Sequence, residues 1–405
     1  MLSASFLPVS ILLMMLFLGL GCSRTQTPVL VKPDQPTPAP DGLSITGPYS
    51  SGNLAVWLVH GPDRSKGRNY LTVAEAVEQK KLIVHETGDV NQLLVENVSD
   101  DVVFIPAGSI VKGGRQDRTL GTDVIITRAD GRMPIDSFCV EQGRWSQRGG
   151  ESAAQFGSAN AMVAGKEMKY YANANAIHGG SGSNQHNVWR EVAENQQQLQ
   201  QAVAGRTVEA AAIADLSVTS TDSPSSFQLT LETEAVKKLT ERQRDELLPL
   251  PKGKRDVVGY VYAVNGEIVG GNVYASPALF GKLWPALLDS AIVEAVAEGA
   301  PTTQPSLPAR DVVAARLATP ADASASRQVN GRTTVRTYDV SDMVLLQTDD
   351  VEAGVPVSRT LLSKPDPTPG EQPGGLQQVD PQINDNNLPV QQQQQMPTHN
   401  APATR

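Results

Sequence analysis

The chain has 405 residues, 40% of them hydrophobic and 19% charged, with a net charge of −9. That charge is spread out and no basic tract exists, which excludes nucleic acid as the main partner. The histidines, His60, His85, His178, His186 and His399, make no H-E-x-x-H and no close pair, so no metal site is expected.

The apolar run from Phe6 to Leu20 is short for a membrane span and ends at Leu18-Gly19-Leu20-Gly21-Cys22, small residues ahead of a cysteine. The pattern resembles a bacterial lipobox, although no Lys or Arg precedes the run and Gly19 stands where Leu is usual. Residues 1–22 therefore read as a signal peptide, and Cys22 as the acylated first residue of an exported protein anchored to a bacterial membrane. Residues 23–50, rich in Pro, Thr and Gln, read as a spacer, and residues 365–405, with Pro and Gln runs, as a disordered tail.

Residues 51–364 read as one α+β domain, a β-rich core followed by a half built on a hairpin and a helix. Leu54 to His60 is a buried-strand run around Trp57, and Thr72 with Glu75 forms a capping box that opens a short helix. Leu82–Glu86, Asn91–Asn97, Val102–Pro106, Val124–Thr127 and Met133–Glu141 follow as strands with hairpin-length connections. In the last of these, Ile135, Ser137 and Cys139 share one face, and Asp136, Phe138 and Val140 the other. Cys139 has no intramolecular partner once Cys22 is acylated, and reads as a buried apolar thiol or as a catalytic thiolate. Residues 149–187, dominated by Gly, Ser, Ala and Asn, read as a flexible insertion, either a disordered excursion or a lid.

Val188, Val192, Leu199 and Val203 then mark one stripe of an amphipathic helix. Val257–Val264 and Glu267–Tyr274 flank Asn265-Gly266, the dipeptide of a type I′ hairpin. Ser276 and Pro277 start a helix that Pro285 is expected to kink or split. Thr333–Tyr338, Met343–Thr348 and Val355–Leu362 read as closing strands.

Two charged runs carry whatever chemistry the domain has: Lys112-Gly113-Gly114-Arg115-Gln116-Asp117-Arg118 and Phe138-Cys139-Val140-Glu141-Gln142-Gly143-Arg144-Trp145. As a ligand site, Gly113 and Gly114 would let main-chain amides approach an anionic small molecule. Arg115 and Arg118 would clamp its phosphate or carboxylate, with Gln116, Asp117, Arg144 and Trp145 beside them. Asp117, Glu141 and Cys139 are weak candidates for a catalytic role. As structure, the same residues make an Arg–Asp knot pinning a β-turn, with Glu141 and Arg144 as a second pair and Trp145 as packing. A phosphate-loop spacing and a G-x-S-x-G elbow are both absent, and no cofactor is expected.

With Asn69-Tyr70-Leu71-Thr72, Glu96-Asn97-Val98-Ser99-Asp100, Ala263-Val264-Asn265-Gly266 and the segment Ala275-Ser276-Pro277 to Leu283-Trp284-Pro285, these runs resemble one family. It is the ARG and rhodanese-phosphatase-superfamily-associated protein (ARPP) domain family, and the resemblance spans roughly residues 51–364. It implies no defined activity, only a loose link to ADP-ribose or phosphate chemistry. The leader, the insertion and the tail are departures from it. Two classes of function stay open: a membrane-tethered binding or scaffold module, and an envelope enzyme acting on a phosphorylated or ADP-ribosylated substrate.

Overall fold

The computed structural model describes residues 34–178, 184–205, 216–303 and 305–365. In chain order these form β1 (Thr37–Ala39), β2 (Leu43–Ser51), β3 (Leu54–His60), β4 (Leu71–Thr72), α1 (Val73–Glu78), β5 (Leu82–His85), β6 (Gln92–Asn97) and β7 (Val103–Ile105). Next come β8 (Ser109–Gly113), β9 (Arg118–Leu120), β10 (Val124–Ile126), β11 (Arg132–Cys139), β12 (Gln155–Met162), α2 (Lys166–Ala172), α3 (Ala174–His178) and α4 (Gln185–Gly205). The remainder is α5 (Phe227–Glu232), α6 (Glu234–Leu247), β13 (Val257–Val264), β14 (Glu267–Tyr274), α7 (Pro277–Glu298), α8 (Arg310–Ala315), β15 (Ala325–Gln328), β16 (Thr333–Val340), β17 (Met343–Asp350) and β18 (Val355–Ser363).

Three sheets result: a nine-stranded antiparallel sheet ordered β1-β2-β3-β13-β14-β18-β17-β16-β15, a three-stranded sheet β10-β7-β4, and a closed barrel β11-β6-β5-β12-β8-β9. The class is α+β, as the sequence indicates.

Period-two alternation explains why β3 reads as one unbroken apolar run. Leu54, Val56 and Leu58 enter the core under α7, while Ala55, Trp57 and Val59 enter a second core with Val313 and Leu317 at α8. Helix α7 is apolar on nearly every side, as a helix surrounded by protein must be. It packs on β13, β12, α4 and α6, with Tyr260 and Tyr262 stacked 5.7 Å apart beneath it. Pro285 neither kinks it into two helices nor ends it, and α7 runs unbroken from Pro277 to Glu298. The lost N–H is outweighed locally by burial of Leu283, Trp284, Leu287 and Leu288 around it.

Two boundaries differ from expectation. The stretch assigned to the spacer already contains β1 and β2, because Leu43 and Ile45 fill the face beside Trp57 and Val59. Residues 149–187 hold all of β12, α2 and α3 and the start of α4, and β12 closes the barrel between β5 and β8. Helix α2 is held by Lys169, whose Nζ donates to Glu294 Oε2 and to the Tyr262 hydroxyl, each at 2.7 Å. Cys22 and residues 366–405 lie outside the described residues.

Glu294 is almost fully buried, so removing its cation leaves a carboxylate in a dry core. Lys169→Met is expected to lower stability by roughly 3 kcal/mol in urea unfolding. Adding Glu294→Gln to it should recover most of that loss.

Candidate functional site

The first charged run folds as a turn between β8 and β9. Gly114 has φ +54°, and a Cβ there would lie 2.2 Å from Phe156 Cζ, so only glycine lets the turn lie down on β12. Beyond the turn, strand alternation sends neighbours to opposite sides. Asp117 faces α5, while Arg118 falls on the side of Leu120, a barrel-core residue.

Outside the barrel the charges pair with each other. Asp117 Oδ1 accepts from Arg148 Nη2 at 2.8 Å and from the Gly113 amide at 3.0 Å; Oδ2 accepts from Arg148 Nη1 at 2.9 Å and Ser226 Oγ at 2.6 Å. Glu141 Oε2 accepts from the Asp117 amide at 2.7 Å and Arg144 Nη2 at 2.8 Å. Glu141 Oε1 takes Arg144 Nε at 2.6 Å and the Ser223 hydroxyl. Arg144 also donates to the carbonyls of Gly113, Gly114 and Ser146. Both carboxylates have no exposure, and the Arg144 and Arg148 side chains retain 8% and 6%. Burial opposes the charge of Arg148, but Asp117, Glu151 and Glu141 outweigh it and hold its pKa above the ordinary arginine value.

Helix α4 completes the frame. Gln185 satisfies both main-chain groups of Cys139, at 2.7 and 2.8 Å, where β11 runs out of strand partners, and Trp189 Nε1 donates to the Glu141 carbonyl at 3.2 Å.

Inside the barrel, Arg118 directs Nη1 at Gln116 Oε1 (3.3 Å) and at Cys139 Sγ, with Glu86 Oε1 3.6 Å from Nη2. Burial pushes the Arg118 pKa down, with Glu86 opposing. Arg115 and Arg118 do not form a clamp around open space: the Arg115 side chain is in solvent and Arg118 has no exposure. What they share is Glu86, whose Oε2 accepts the Arg115 amide at 3.0 Å. Trp145 is 43% exposed and does not serve as packing.

Of the expected site residues, Gly113, Asp117, Glu141 and Arg144 come together, while Gln116, Arg118 and Cys139 form a separate group within the barrel. Glu86, Arg148, Gln185, Ser223 and Ser226 were missed. Only Arg148, a cation close after the second run, left a local trace in the sequence. Among the described residues no group of three His, Cys, Asp or Glu side chains is arranged to hold a metal ion. A concavity of about 620 Å³ beside α5 is lined by Ser217, Thr219, Asp222, Glu232, Thr233 and Glu234, and of its carboxylates Glu232 is paired with Lys112 and Glu234 with Lys237.

The family model of the ARG and Rhodanese-Phosphatase-superfamily-associated Protein domain, ARPP-1, matches residues 42–355. The chain belongs to this family. The match begins one residue before β2. No curated protein and no solved structure matches the ARPP-1 chain.

Because Arg148 serves Asp117 and Glu141 together, Arg148→Met should destabilise the domain by about 3–5 kcal/mol. Arg115→Met should change stability by less than about 0.5 kcal/mol, as an exposed side chain does. Paired thermal and denaturant melts of the two variants check the contrast.

Proposed function

We propose that this chain is a membrane-anchored lipoprotein of the bacterial envelope whose ARPP-1 domain is a binding or scaffold module. One observation carries the second half of this reading. Asp117 and Glu141 are fully buried and occupied by arginines, serines and main-chain amides, so the charged runs hold the fold together rather than meet a substrate. The competing reading, an envelope enzyme acting on a phosphorylated or ADP-ribosylated substrate, would need Asp117, Glu141 or Cys139 free to meet a reacting group, and the two carboxylates are already taken while Cys139 is buried.

The anchor rests on the leader. Its small residues before Cys22 fit processing and acylation of that cysteine, and several acyl chains hold a protein on a membrane where one does not. Among the described residues no helix is long and apolar enough to cross a membrane.

Cys22→Ala should abolish metabolic labelling with a fatty acid and shift the protein from the detergent phase to the aqueous phase; retention in the membrane fraction would refute the anchor. Purified domain should not turn over phosphorylated or ADP-ribosylated probes. Turnover that Glu141→Gln abolishes while the melt stays intact would refute the module reading.

A further inference from the structure

Residues 34–42 run along the edge of the nine-stranded sheet as a surface strap, and none of them is buried. Their strand, β1, is three residues long and pairs with β2 alone. Thr37 stands opposite Ile45, Pro38 opposite Ser44 and Ala39 opposite Leu43. Pro36, Pro38 and Pro40 have no N–H to donate, so the ladder that holds the strap is thin.

Three arginines from three different elements reach the strap. Arg310 of α8 donates from Nη1 to the Gln35 carbonyl at 2.7 Å. Arg64, in the loop after β3, donates to the Asp41 carbonyl, and Arg359 of β18 donates from Nη1 to Asp41 Oδ2 at 2.6 Å. The Tyr49 hydroxyl adds a bond to Asp34 Oδ1 at 2.7 Å. Arg359 is fixed from the body of the sheet, where its Nε donates to Gln347 Oε1 at 3.2 Å. Its side chain is 13% exposed and that of Asp41 is 39%, so the cation is built in and the anion is laid on. Beside these two arginines a cavity of about 20 Å³, lined also by Leu43, Pro62, Val258 and Val273, is left unfilled by the strap. It has room for one water-sized group, so the strap is not the best-fitting occupant.

We propose that the β2 edge and the Arg64–Arg359 pair form a docking site for an extended acidic peptide, which residues 34–41 occupy as a tethered substitute. The strap shows the binding mode: a short antiparallel strand on β2, then a carboxylate delivered to the arginines two residues beyond it. Main-chain pairing supplies affinity, and the guanidinium groups select a carboxylate. A partner gains over the strap by pairing further along β2, since β1 meets only three of its nine residues. This deepens the binding-module reading and is independent of the anchor at Cys22.

The test uses the native full chain and a fluorescent peptide with the strap's own sequence, residues 34–42, read by anisotropy. The tethered strap competes at an effective concentration on the order of millimolar, so wild type should bind the peptide weakly. Asp41→Ala in the chain loosens the competitor and should tighten peptide binding roughly fivefold. Adding Arg359→Gln to that chain should undo the gain, and so should Asp41→Asn in the peptide, with thermal melts showing both chains folded. Hydrogen exchange on wild type gives a second readout: amides of residues 35–41 should exchange far faster than those of β3. No binding to the Asp41→Ala chain at millimolar peptide, equal affinity with and without Arg359, or strap amides as protected as β3 would each overturn the proposal. A concentration-dependent dimer of the Asp41→Ala chain in place of peptide binding would also overturn it, and would assign the edge to a second copy.

Discussion

Two carboxylates shut away from water, Asp117 and Glu141, dictate how this half of the molecule is assembled. A buried charge left unpaired costs several kcal/mol, so each needs cations and hydrogen-bond donors arriving from several directions at once. Arg144 and Arg148 come from the loop after β11, Ser223 and Ser226 from the loop before α5, and the amides of Gly113 and Asp117 from the β8–β9 turn. Segments far apart in sequence thus have a common place to end. Gly114 can lie against Phe156, and Ser226 can cap α5 through the Leu229 amide while donating to Asp117.

The same knot explains what could be read in the sequence and what could not. Local chemistry was legible: the Thr72–Glu75 capping box and the Asn265-Gly266 hairpin are completed by residues within a few positions of each other. The two-faced alternation around Cys139 was also legible, because a strand divides its residues by parity alone. The knot was visible only as charge. An arginine that will clamp a ligand and one that will clamp a buried aspartate carry the same letter, and the serines that settle the matter lie about a hundred positions away in sequence. Residues 155–162 failed for a different reason. Gly157, Ser158 and Asn160 have little strand preference, and β12 exists because the barrel needs a strand between β5 and β8.

Alternation also separates the roles of Asp117 and Arg118, adjacent in sequence and joined to different networks. On one side of β9, every oxygen of the Asp117 and Glu141 carboxylates accepts hydrogen bonds. The other is a short set, with a guanidinium inside a β-barrel and too few acceptors around it. A stability role accounts for the Asp117–Glu141 network. It does not account for the other side, since an apolar residue at 118 would fill a barrel interior at lower desolvation cost.

Glu86 bears on the anion-site idea more directly than any arginine does. Its carboxylate sits against the Arg115 amide, the Gly88 amide and Arg118, the groups that a bound phosphate or carboxylate would need. An incoming anion would have to displace it, leaving a nearly buried carboxylate with its donors taken, and that penalty is as large as the gain from binding. The turn therefore carries its own anion. Among the members of the two charged runs, Arg115, Gln142, Gly143 and Trp145 are the exposed ones.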